Sequence, residues 1–173
     1  MEKIIIDPLK EIIIQIEEVK LTNDFEKAYK LIQDSIIKYS DDYRLYEELA
    51  DVSIYIGNIK KAENSIDYAL ELNPESATGN YLKGFILLSQ DKFKQSLSFL
   101  EKSNSLMGNN SEVLRNLGWA YTMNNQVEKG IIILKRALNL APGDKLITED
   151  LAMALIGIGD IEIGNKLLEN IKK

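Results

Sequence analysis

The chain has 173 residues, 27 acidic and 21 basic, with a formal net charge of −6 and neither His nor Cys. Thiolate nucleophiles, zinc sites of the usual ligand set, His-based triads or proton shuttles, and disulfide scaffolds are therefore excluded. A 45% hydrophobic and 28% charged composition is that of a globular chain, and its acidic balance disfavours nucleic acid, which needs clustered Lys and Arg.

Residues 1–8 read as a short apolar leader. Ile4-Ile5-Ile6 is broken by Asp7 and Pro8, too early for the core of a secretory signal. No later apolar stretch approaches the roughly 18 residues needed to span a bilayer. A soluble cytoplasmic protein is the expectation.

From residue 9 the chain is self-similar at a period of 34, in blocks 9–42, 43–76, 77–110, 111–144 and 145–173. The first block keeps Ile12, Phe25, Ala28 and Ile32. The second carries Tyr46-x2-Leu49-Ala50, then Gly57, Ala62, Ala69 and Pro74. In the third stand Gly84, Phe93, Ser96 and Leu100, with Gly108 where Pro74 and Pro142 stand in its neighbours. The fourth is the most regular: Leu114, Leu117, Gly118 and Tyr121 recur at i, i+3, i+4, i+7, and Val127, Ile131, Leu134 and Leu138 repeat that spacing. The fifth keeps Leu151, Ala152, Gly159 and Asp160. Small residues share one column (Ala28, Ala62, Ser96, Gly130, Gly164) and large aliphatics another (Ile32, Ile66, Leu100, Leu134, Leu168). Each block therefore predicts two amphipathic helices of about 13 residues in an αα-hairpin. Asn125 is expected to cap the second helix of its block, with Asn23, Asn58, Asp91 and Asp160 at or beside the same point.

Residues Leu114-x2-Leu117-Gly118-x2-Tyr121, with Gly130 and Pro142, resemble the tetratricopeptide repeat pattern W-x2-L-G-x2-Y, A-x3-F, P, with Leu in place of Trp. The resemblance covers nearly the whole chain. It implies an all-α fold: an α-solenoid of about five helix-turn-helix hairpins coiled into a right-handed superhelix. In that family the first helix of each pair lines a concave groove where partner peptides or helices lie.

Under that resemblance three columns of the first helices face the groove: Ile13, Glu47, Tyr81, Arg115, Glu149; then Glu17, Asp51, Phe85, Trp119, Met153; then Lys20, Ile54, Leu88, Thr122, Ile156. Tyr81, Phe85, Leu88, Trp119 and Met123 would form its centre. Glu47, Glu48 and Asp51 would flank it on one side, Glu149 and Asp150 on the other. Aromatic anchors inside a charged rim are the anatomy of a recognition surface, and acidic flanks favour an apolar partner with basic residues. Arg115 and Asn116 are alternatively placed to hold a carbonyl or carboxylate. Phe85 and Trp119 equally suit packing against the next hairpin, and the acidic groups a solvated face.

A subgroup of the family grips chaperone C-terminal carboxylates with Lys and Asn. Here Glu47, Asp51, Tyr81 and Leu82 stand in those places and only Asn116 agrees, so that binding is not expected. The ends of the stack raise self-association, or docking of the leader over a groove or end: Ile4-Ile5-Ile6 and Ile12-Ile13-Ile14 at one, and Ile161, Ile163, Leu167, Leu168 and Ile171 at the other, before Lys172-Lys173, while Ile4–Ile6 equally suit a cap on the first hairpin. The expected function is a non-enzymatic protein-interaction adaptor without cofactor or metal. The alternatives are a self-assembling scaffold, a homo-oligomer through terminal repeats, or a bacterial secretion-type chaperone. Glu47 and Asp51 lie one helical turn apart, a spacing usable in acid–base work, but no Gly-rich loop or nucleophile motif accompanies them.

Overall fold

The computed structural model describes residues 7–171, so the leader isoleucines Ile4–Ile6 and the final Lys172-Lys173 lie outside the described residues. Ten helices occur among the described residues. They are α1 (Pro8–Leu21), α2 (Phe25–Ile36), α3 (Tyr43–Tyr55), α4 (Ile59–Leu72), α5 (Ala77–Ser89), α6 (Phe93–Leu106), α7 (Ser111–Met123), α8 (Val127–Leu140), α9 (Lys145–Gly157) and α10 (Ile161–Asn170). Odd-numbered helices from α3 on begin 34 residues apart, and so do all the even-numbered ones.

Capping chemistry sets those starts. Asp42, Asn110 and Asp144 each accept from a backbone N–H of the first turn of α3, α7 and α9, at 2.9–3.0 Å. Ser76 occupies the same column and accepts from the Gly79 N–H at 3.1 Å. Asp7 does this for α1 through the Leu9 N–H at 3.0 Å. A short polar acceptor at this point satisfies a donor that the helix itself leaves unpaired.

The turn inside each hairpin is equally periodic, and it corrects one expectation. Asn23, Gly57, Asp91, Asn125 and Gly159, spaced 34 apart, all adopt left-handed backbone, with φ between 57° and 94°. Asn125 is therefore not the cap of α8. It stands one residue earlier, where the chain must reverse, as do Asn23 and Asp91. The residue that follows donates its N–H back across the turn: Asn58 to the Ser53 carbonyl at 2.8 Å, Lys92 to Leu87 at 2.9 Å, Gln126 to Tyr121 at 2.9 Å, Asp160 to Leu155 at 3.0 Å. These are the 6→1 bonds of a Schellman ending, and only Gly, Asn and Asp take the left-handed position cheaply. True caps follow at Asp24 and Asn58, which accept from the Lys27 and Lys61 N–H groups at 3.1 Å, whereas Lys92, Gln126 and Asp160 make no such side-chain bond.

The chain divides into two compact units, through Leu82 and from Lys83 onward. In the first, Leu9, Ile16, Ala28, Ile32, Leu45, Leu49 and Val52 form one buried cluster. Ile12 and Ile13 pack against it, so of the three consecutive isoleucines only Ile14 is mainly exposed. At the positions of Leu45, Leu49 and Val52, α1 carries Glu11, Gln15 and Glu18, all exposed.

The second unit holds a cluster of Ile131, Leu134, Leu151, Ala154 and Leu155, against which Leu167 packs, and another of Leu114, Ala137 and Ile147. Its small-residue columns meet. A Cβ on Gly118 would stand 2.7 Å from the Leu134 Cγ, and one on Gly130 would stand 2.7 Å from the Gly118 carbonyl oxygen. Ser96, in the column of Gly130, instead donates its hydroxyl to the Gly84 carbonyl at 2.7 Å. Close backbone approach of paired helices explains why these positions stay small. Ile161 and Ile163 on α10 remain more than half exposed.

Candidate functional site

The residues predicted for the groove lie on first helices of both units, α3, α5, α7 and α9. In the first unit the acidic ones are already partnered. Lys20 of α1 places its Nζ 2.9 Å from Glu17 Oε1, 2.9 Å from Glu48 Oε2 and 2.6 Å from Asp51 Oδ2, joining α1 to α3. Burial alone would push the Lys20 ammonium down, but Glu48 and Asp51 outweigh it and hold the group above the ordinary lysine range. Burial pushes the Glu48 carboxyl up to about 7 against the opposing pull of the Lys20 ammonium, with Glu17 and Asp51 adding smaller repulsions. At the other end of the same two helices, Arg44 binds Asp7 and Asp42, each at 2.7 Å, and holds both carboxyls below the usual carboxylate range.

Glu47 is buried. Its carboxylate accepts the Ser76 hydroxyl at the start of α5, while Ser76 accepts the Gly79 N–H. Burial raises the Glu47 carboxyl, outweighing the Ser76 and Gly79 donors that favour its charged form. Tyr81, also in this unit, is half-buried. Aromatic rings gather nearby along the chain: Phe25 stacks on Tyr55 at 4.7 Å, and Tyr46 meets Tyr68 edge-on at 4.5 Å.

In the second unit, Arg115 of α7 donates from Nε to Asp150 Oδ2 of α9 at 2.6 Å. Burial raises the Asp150 carboxyl against the opposing pull of Arg115. Asn116 and Leu88 are buried, and Phe85 and Trp119 are half-buried. Met123 and Met153 are 39% and 55% exposed. Helices α7 and α9 touch, so Trp119 and Met123 (i, i+4) and Leu146 and Met153 (i, i+7) form two apolar strips on adjacent helices. Sequence reasoning did not single out Leu146, which is 53% exposed. Its column was the available signal: Lys10, Arg44, Thr78 and Glu112 are polar there, and a lone Leu among them is unexplained by the repeat.

Met123, Leu146 and Met153 offer exposed apolar contact on this surface. Among the described residues no group of acidic side chains is arranged to hold a metal ion. No helix among them is long and apolar enough to cross a membrane.

No protein-family model and no curated protein matches the sequence. Solved structures do match its fold. MamA from Desulfovibrio magneticus RS-1 is 20% identical, with 96% of this chain and 94% of that one covered at a TM-score of 0.78. PilW, a widely conserved type IV pilus biogenesis factor, is 19% identical over 91% of this chain and 73% of its own, at 0.81. YrrB, a tetratricopeptide repeat protein with an unusual peptide-binding site, is 16% identical over 90% and 80%, at 0.71. The chain has the all-α tetratricopeptide repeat fold.

Proposed function

We propose that the chain is a non-enzymatic protein-interaction module that holds an apolar peptide or helix of a partner on its first helices, with Phe85, Trp119, Met123 and Met153 as principal contacts. The observation that carries this reading is the pair of apolar strips on α7 and α9, solvent-facing where the repeat itself requires no apolar residue. The peptide-binding site of YrrB, on the same fold, is consistent with it. The acidic rim contributes less than the columns suggest. Glu48 and Asp51 are held by Lys20, Asp150 is held by Arg115, and Glu47 is buried, leaving the exposed Glu149 of α9 to meet a basic residue of the partner. A cytoplasmic location belongs to the same proposal.

Trp119 is the sole tryptophan, so its fluorescence reports the surface directly. Peptides selected from a displayed library should shift that emission on binding. The double variant Phe85→Ala/Trp119→Ala should lose affinity for the same peptides by about tenfold or more, followed by calorimetry, with helicity unchanged. Undiminished binding by the double variant would place the contact surface elsewhere.

Self-association is a second reading, favoured by the exposure of Ile158, Ile161 and Ile163 around the last turn. Light scattering across a concentration series tests it, and a strict monomer at high concentration rules it out.

A further inference from the structure

The contact between α1 and α3 has an unbalanced charge. One ammonium, Lys20, meets three carboxylates, Glu17, Glu48 and Asp51, at 2.6–2.9 Å. The Lys20 and Glu48 side chains are only 13% and 14% exposed, against 26% for Asp51 and 52% for Glu17, so of the three carboxylates Glu48 is the one that solvent screens least. With every group ionised the cluster carries two uncompensated negative charges. The surplus is most cheaply relieved by a proton on the most buried carboxyl.

We propose that docking of the first hairpin, α1–α2, on α3 is proton-linked through the Lys20–Glu17–Glu48–Asp51 cluster, tightening on mild acidification and loosening as pH rises through neutrality. The groups facing Glu48 are Lys20 and Glu17 from α1 and Asp51 on its own helix. Helix α2, which also packs on α3, brings the apolar Ala28 and Ile32 to the shared core, and α4 meets α3 through Tyr68 on Tyr46. Glu47 serves the start of α5, and Arg44 binds Asp7 and Asp42.

The sign follows from linkage. The Glu48 carboxyl stands at about 7 when docked, against its ordinary value of 4.5 once α1 departs and water reaches it. The docked form therefore binds the extra proton between those values. The Glu48 contribution is fully present below the lower value and is lost as pH rises through the upper one, at up to about tenfold in the docking constant per pH unit. Lys20 stays charged throughout. Asp7 and Asp42, held low by Arg44, titrate below this window. Repeat proteins open locally, hairpin by hairpin, and opening here would uncover Leu45, Leu49 and Val52.

Hydrogen exchange read by mass spectrometry on the full chain, corrected for intrinsic rates, tests this. Protection of α1 should fall about tenfold or more between pH 5.5 and pH 7.5, while Glu48→Gln should be nearly flat across that range. In Lys20→Met, which removes the cation and raises the surplus from two negative charges to three, protection of α1 should drop more at pH 7.5 than at pH 5.5. Wild-type protection independent of pH, an undiminished slope in Glu48→Gln, or an equal drop at both pH values in Lys20→Met would each overturn the proposal.

Discussion

Glu47 shows how a residue's position in a repeat differs from its job. In sequence it stands in the column of Tyr81, Arg115 and Glu149, which faces the groove under the family resemblance. In the structure it is buried against Ser76 and the start of α5. Asp42, Asn110 and Asp144 cap with their own carboxylate or amide oxygen, whereas the smaller Ser76 hydroxyl is backed by the Glu47 carboxylate. Glu47→Ala should therefore cost about 1–3 kcal/mol, because the Ser76 hydroxyl and nearby donors lose their buried acceptor. Glu47→Gln, which keeps an acceptor and sheds the charge, should stay within about 1 kcal/mol of wild type in urea denaturation at pH 7. Such roles were not legible in the sequence. A column says which way a side chain leaves its helix, but Lys20 lies 28 residues from Glu48, in another block, and nothing local marks the pair. Of the apolar candidates, Trp119, Met123 and Met153 keep some exposure, whereas Leu88 is buried.

At the scale of the element, legibility was high where one physical rule acts at every repeat. Hydrophobic spacing and the cap column together fix the helix starts, because a capped turn and a buried stripe specify the same register. The left-handed turn was misread because Asn and Asp serve equally as caps and as reversal residues. Gly57 and Gly159 in the same column were the clue that backbone conformation, not capping, was required there. The paired small residues of α7 and α8 carry a sharper consequence. A methyl group at Gly130 would press on the Gly118 carbonyl, which is backbone and cannot rotate away. Gly130→Ala should therefore lower stability by about 1–3 kcal/mol, seen as a reduced thermal midpoint, although alanine is the better helix former and Ala62 fills the same column elsewhere.

At the scale of the whole molecule the question is which sides of a repeat stack on a neighbour. Along one side of α1 stand Glu11, Gln15 and Glu18, all exposed, at the positions where α3 buries Leu45, Leu49 and Val52. A polar side of this kind lets a helix face water instead of packing on another hairpin. Replacing the three with the residues of the next repeat, Glu11→Leu, Gln15→Leu and Glu18→Val, should create a surface that stacks on other copies, and light scattering should show mass rising with concentration. An unchanged monomer would mean that the polarity of this side is not what limits stacking. The ion pairs between first helices have one more consequence. Caps and turns are nearly the same in every hairpin, so on their account any hairpin could follow any other. Lys20, however, meets Glu48 and Asp51 only when the second hairpin follows the first, and Arg115 meets Asp150 only when the fifth follows the fourth. These pairs act as addresses that fix neighbour order. A gain or loss of one repeat beside them would leave the turns intact and strand a poorly solvated charge.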